Sequence, residues 1–179
     1  MVEKINEELM EIIRAGEGVT TEFKKANNKL PQNLFETICA FLNRNGGNIF
    51  LGVADDGKIT GVDKNCISEM KKDFANLCNN PEKIEPTVYL NIKEYEIENK
   101  IILHIYVNEG TEVYRTNGKV FDRNEDGDYE MKYAGRIVNI YLRKHYFYTE
   151  DRVFPHFGME DLREDLINRA RQRAINMSQ

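Results

Sequence analysis

Serine is nearly absent from this 179-residue chain, and there are only four prolines and three cysteines. No apolar run approaches the roughly 18–20 residues that a membrane helix needs. The start, Met-Val-Glu-Lys-Ile-Asn, lacks the hydrophobic segment of a signal peptide, so a cytoplasmic protein with no membrane partner is expected. The scarcity of serine leaves little for a Ser-His-Asp arrangement. Cys39, Cys66 and Cys78 are odd in number and widely spaced, which argues against a disulfide framework or a CxxC metal knuckle and for buried thiols. His104, His145 and His156 show no HExxH spacing, so zinc hydrolysis is poorly supported. Basic charge is also in deficit. The net charge of -5 counts against unguided adhesion to nucleic acid, and any such binding needs a local basic patch. With 41% hydrophobic and 31% charged residues the chain reads as folded, with one domain and an appendage.

What is present is patterned. Ile5, Leu9, Ile12 and Ile13 predict a helix over 3–15, broken by Gly16-Glu17-Gly18. Residues 19–25 alternate as a strand, placing Glu22 and Lys24 on one face. Leu34, Phe35, Ile38, Phe41 and Leu42 form one helical stripe, with Pro31 suited to the first turn and Asn45-Gly46-Gly47 to the exit. Ile49–Val53 is a continuous apolar run, consistent with a strand covered on both faces, and Asp55-Asp56-Gly57 predicts a turn into a partner strand over 58–62. Another helix is expected over 67–77. Strands over 88–97 and 100–107 flank Glu98-Asn99, and a further hairpin is expected around Asn117-Gly118, pairing 113–115 with 119–123. From about Arg136 the pattern is helical again, with Leu162, Leu166 and Ala170 on a second stripe.

Several stretches imitate functional motifs. Gly46-Gly47 precedes a strand, whereas nucleotide loops follow one, so packing and turn geometry explain it better than phosphate binding. The run from Asp122 resembles the first half of a calcium loop. Its twelfth position is Tyr133, not the required glutamate, and a solvated turn is the default reading. Glu17, Glu22 and either Asp55 or Asp56 sit on elements that would converge if the first strand lies beside Ile49–Val53. Such a set could hold Mg²⁺ or Mn²⁺ and assist attack on a phosphodiester; the plainer alternative is solvated turn acids and a Glu22–lysine pair. Lys24, Lys25, Lys29 and Arg44, with Arg115 and Arg123, would supply phosphate contacts if several shared a face.

Glu22-Phe23-Lys24, then Glu36 through Asn43, Gly46 through Val53, Asp55-Asp56-Gly57 and Gly61-Val62 together resemble the Schlafen AlbA_2 domain over roughly residues 15–130. The resemblance implies an α+β fold and nucleic-acid binding, with DNA the usual ligand of bacterial members that look like transcriptional regulators. Some Schlafen proteins carry a three-carboxylate ribonuclease site. Its first two acids match Glu17 and Glu22 here, and Asp55, or alternatively Asp56, is the third. Two departures stand out. The zinc-binding cluster of the animal relatives is not visible, and the aromatic-x-Arg-x-Gly pattern of the last hairpin becomes Phe121-Asp122-Arg123-Asn124-Glu125.

The expected architecture is thus α+β: a mixed, mostly antiparallel sheet packed with two or three helices over residues 1–135, and a helical extension over 136–179 that could lead into a further region. The leading functional expectation is a module of a transcriptional regulator that binds DNA or RNA through Lys24, Lys25, Arg44 and Arg123, with no cofactor required. A metal-dependent nuclease using Glu17, Glu22 and Asp55 with Mg or Mn is the second, and homo-oligomerisation through the C-terminal helices is the third.

Overall fold

The computed structural model describes residues 2–145; the stripe expected at Leu162, Leu166 and Ala170 lies outside the described residues. A four-stranded sheet is built from β1 (Thr21–Lys24), β2 (Gly47–Leu51), β3 (Ile92–Ile97) and β4 (Lys100–Val107), in the order β1-β2-β4-β3. β1 and β2 are parallel, and the other pairings are antiparallel. Parallel neighbours need a crossover. Here it is α2 (Leu34–Asn43), which packs nine of its ten residues into the interior.

β2 is covered on both faces, as its unbroken apolar run implies. Ile49 and Leu51 join the larger core with α2 and with Met70 and Phe74 of α3 (Ile67–Cys78). Phe50 points the other way, to a smaller core with Leu9 and Ile13 of α1 (Val2–Ala15) and with Phe23 and Ile102. The two glycines before β2 serve this packing. Gly46 takes a left-handed φ of 71° at the helix exit, and a Cβ on Gly47 would lie 2.6 Å from the Thr20 carbonyl oxygen and 2.9 Å from the Phe41 ring. Cys39 and Cys78 are buried, and desolvation pushes each thiol up to about 12, so both behave as small apolar groups. Cys66 is half-buried against the larger core. No helix among the described residues is long and apolar enough to cross a membrane.

Two expected hairpins differ from the pattern. After β2 the return over 58–62 is a single bridge between Val53 and Ile59. The Gly52 carbonyl takes both the Thr60 and Gly61 N–H groups, and Val62 then turns to bond Ile101. The turn at Asn117-Gly118 forms, with Thr116 and Lys119 exchanging both backbone bonds, but its ladder stops there. The next rung would join Tyr114 to Phe121, and the Asn43 side chain occupies it. Its Oδ1 accepts the Tyr114 N–H at 2.8 Å, and its Nδ2 donates to the carbonyls of Tyr114 and Phe121, both at 2.9 Å. On its other edge the segment pairs as a two-stranded sheet of β5 (Phe121–Asn124) and β6 (Gly127–Glu130). The run resembling a calcium loop is therefore a hairpin.

A last described helix, α4 (Ala134–His145), is attached through Ile140, which packs with Val113, Val120 and Met131. Replacing Asn43 by Ala removes three bonds from backbone groups of Tyr114 and Phe121. We expect Asn43→Ala to lower unfolding free energy by at least about 2 kcal/mol in urea titrations.

Candidate functional site

The hairpin β5–β6 brings Arg123 against the opening of β1. The residue is 2% exposed, yet its guanidinium is charged, so its bonding has to replace water almost completely. Nε donates to the Gly18 carbonyl at 3.0 Å, and Nη2 donates to the Thr21 carbonyl at 3.1 Å and to Glu22 Oε2 at 2.6 Å. Nη1 donates to Asp128 Oδ1 at 2.6 Å, and the group lies 5.0 Å from the centre of the Phe41 ring. Burial alone would lower the Arg123 pKa; Asp128 and Glu22 outweigh it and raise it.

The two carboxylates are held in turn. Asp128 Oδ2 accepts the Thr37 hydroxyl at 2.5 Å. Glu22 Oε1 accepts Lys24 Nζ at 2.9 Å, as the alternation of β1 anticipates, and Lys24 is itself 7% exposed. Desolvation would raise the Glu22 pKa, but Lys24 and Arg123 together lower it. Beside it, Glu17 Oε1 accepts the Phe23 N–H at 2.8 Å. The Glu17 pKa is raised, chiefly by desolvation and further by the charges of Glu22 and Asp55, against the lowering effects of the Phe23 N–H and Arg123. Glu17 and Glu22 thus share a neighbourhood that Asp55 reaches electrostatically, while Asp55 and Asp56 stand exposed in the turn after β2. Among the described residues, no group of three or more acids, histidines or cysteines is arranged to hold a metal ion.

Above Arg123 opens a cleft of about 290 Å³, walled by Glu17, Glu22, Glu36, Asp126 and Asp128. Its wall is acidic and repels phosphate. Residues 17–132, which carry the cleft, match one family model, described as Schlafen, AlbA_2. The chain belongs to the Schlafen AlbA_2 family. Two solved structures are similar to it. One is the N-terminal domain of a RecG-related protein from Nitrosomonas europaea, at 22% identity over 58% of this chain and 72% of that one, with a TM-score of 0.45. The other is the DIP2311 protein from Corynebacterium diphtheriae, at 17% identity and a TM-score of 0.54, where the match covers 79% of this chain and 32% of that one. The second likeness is one of fold.

Within this Schlafen AlbA_2 chain the expected basic residues are divided. Lys24 and Arg123 lie inside, consumed by Glu22 and Asp128, and leave little of their charge for an external phosphate. Lys25 and Lys29 are exposed. Arg44, at the end of α2, keeps 30% of its side chain exposed while Nε donates to the Arg123 carbonyl at 3.0 Å and forms an ion pair with Asp122 Oδ1, also at 3.0 Å.

Arg44 has neighbours that sequence reasoning did not assign. Arg143 of α4 donates through Nη2 to the Asn43 carbonyl at 2.6 Å and lies 3.9 Å from Asp122, with 38% of its side chain exposed. Lys144 Nζ donates to the carbonyls of Leu42 and Gly110. Desolvation lowers the Lys144 pKa. Helix C-termini present unpaired carbonyls that attract cations, so two adjacent basic residues closing an amphipathic segment were the available signal.

The Glu22–Arg123 contact makes stability acid-sensitive in a definite direction. A lowered Glu22 pKa adds stability that is complete above the ordinary glutamate value of 4.5 and is lost as pH falls through the lowered one. Glu22→Gln leaves the buried guanidinium short of a countercharge. We expect it to cost about 3 kcal/mol or more near neutral pH and to flatten the acid limb of stability against pH, read by thermal melts across the acid range.

Proposed function

We propose that this domain binds nucleic acid through a basic patch at the C-terminal end of α2. The observation that carries this reading is the gathering of Arg44 and Arg143 at Asp122, with Lys144 bonded to the Leu42 carbonyl at the same helix end, in a chain of net charge -5. Arg44 and Arg143 keep part of each side chain exposed while one guanidinium N–H of each is fixed on a backbone carbonyl, so they present charge in a set position. Pre-set cations lose less conformational freedom on meeting phosphate than free side chains do. Exposed Lys25 adds a further phosphate contact, and Lys24 and Arg123 support the reading from inside by shaping β1 and the hairpin. Service as the DNA-contacting module of a transcriptional regulator is the form of this reading drawn from the family likeness. The acidic cleft supplies contrast: it turns phosphate away from one side of the domain.

Each phosphate contact releases counterions and steepens the salt dependence of binding. The Lys25→Ala/Arg44→Ala variant is expected to bind labelled DNA more weakly, with the slope of log affinity against log salt reduced by about 1.5. Fluorescence anisotropy at several salt concentrations measures this. Salt-independent binding, or an unchanged slope in the variant, overturns the assignment.

Metal-dependent cleavage is a second reading, favoured by the shared electrostatic neighbourhood of Glu17, Glu22 and Asp55. In the present arrangement the fit is poor, because both Glu22 oxygens are held by cations, Lys24 on one side and Arg123 on the other. Mg²⁺ or Mn²⁺ would have to displace one of them. Labelled RNA and single-stranded DNA incubated with Mn²⁺ are expected to remain intact with the wild-type chain. Cleavage that Glu17→Ala abolishes would establish the nuclease reading instead.

A further inference from the structure

The face of the sheet that packs on α1 is covered at one end only. Register places Asn48 beside Tyr106, Phe50 beside His104, and His104 beside Lys93, so all five side chains share that face. Phe50 belongs to the core with α1. Beyond it the sheet is open, and a cavity of about 190 Å³ is bordered by Tyr89, Asn91, Lys93, His104, Tyr106 and Asn108.

Three properties of this cavity are unusual together. Two tyrosines stand in solvent at its border, Tyr89 at 86% and Tyr106 at 55% exposure. Large aromatic rings left in water are favourable surfaces for stacking. His104, by contrast, is 8% exposed, its ring stacked on Phe50 at 4.8 Å between centroids. Its Nε2 lies 2.9 Å from Asn48 Oδ1, an acceptor, which assigns the proton to Nε2 and leaves Nδ1 as a lone pair. Nδ1 is buried with no partner among the described residues. Burial and the nearby Lys93 push the histidine down to about 4, so at neutral pH the ring is uncharged and Nδ1 is an acceptor.

We propose that this end of the sheet is a subsite for one unpaired base of a single-stranded nucleic acid, stacked on Tyr106 and Tyr89, with a base N–H donating to His104 Nδ1. The chemistry of the border fits that occupant over others. Asn91 and Asn108 offer amides that can both donate and accept, matching the mixed edge of a base. Exposed Lys93, beside His104 in register, offers its charge to the adjoining phosphate. A cavity of this volume takes one planar ring system and not a duplex, whose bases are already stacked and paired. The subsite rests on the reading of the domain as a nucleic-acid binder and adds the class of ligand, a strand with free bases. It uses none of Lys25, Arg44 or Arg143.

The test compares labelled single strands, RNA and DNA, with the corresponding duplexes, using the full chain. Variants are Tyr89→Ala/Tyr106→Ala and Tyr89→Phe/Tyr106→Phe; these exposed positions allow both to fold, which circular dichroism verifies. The alanine pair is expected to lose roughly tenfold or more of the single-strand affinity and to leave duplex affinity unchanged. The phenylalanine pair keeps its rings and binds as the wild type does. The chain has no tryptophan, so quenching of tyrosine emission by a bound strand gives an independent readout, reduced in the alanine pair. Single-strand affinity unaltered by the alanine pair, or an equal loss on duplex, overturns the subsite while leaving the basic patch standing. A change in mass by light scattering with unaltered strand binding assigns the tyrosines to self-association and likewise overturns it. If the wild type binds neither strand nor duplex, the nucleic-acid reading falls and the subsite falls with it.

Discussion

A buried guanidinium has to be answered on every side, and in this fold the answer to Arg123 draws on four parts of the chain. The loop before β1 offers Gly18, β1 offers Thr21 and Glu22, β6 offers Asp128, and α2 offers the Phe41 ring. Desolvating such a charge costs several kcal/mol, and the arrangement returns that cost only while all partners are in place. Losing one acid leaves the others mismatched. The acidic cleft is a by-product of the same requirement, since Glu22 and Asp128 are there for the arginine and also line the opening above it.

Asn43 imposes a second constraint of the same kind on neutral groups. By taking the rung between Tyr114 and Phe121 it ends that hairpin after one bridge and fixes one edge of the strand to α2. The opposite edge of the same strand pairs with Gly127–Glu130, and Arg123 reaches β1 from it. Its neighbour Asp122 stands at the end of α2, where Arg44 and Arg143 gather. One amide in the last position of α2 thus ties the helix to the strand that carries both residues.

Much of this architecture is legible in local pattern. The stripe of α2, the doubly covered run of β2, the Glu98-Asn99 hairpin and the turn at Asn117-Gly118 follow from periodicity and turn chemistry, and the family likeness follows from the order of those pieces. The ladder partners of residues 113–123 do not, because Asn43 reaches them across more than seventy positions. Nor does the fate of Arg123. A basic residue beside acidic ones reads in sequence as a surface contact, and burial with Glu22 is set by a partner a hundred residues away. Arg143 and Lys144 escape notice for a similar reason: their targets are carbonyl groups, which every residue has. His104 reads as an isolated histidine until register sets it between Phe50 and Lys93, with the Asn48 side chain in hydrogen-bond reach.

The distance along the chain between Glu22 and Arg123 also has a meaning in time. On a ribosome the first strand, the crossover helix and the second strand are complete long before residue 123 has been made. Until then Glu22 has Lys24 as its countercharge, and β1 remains an uncovered edge. The hairpin that carries Arg123 is the last of these pieces to be made. The domain is therefore sealed from its far end: whatever the nascent chain meets while β5 is still being synthesised, it meets with its first strand open.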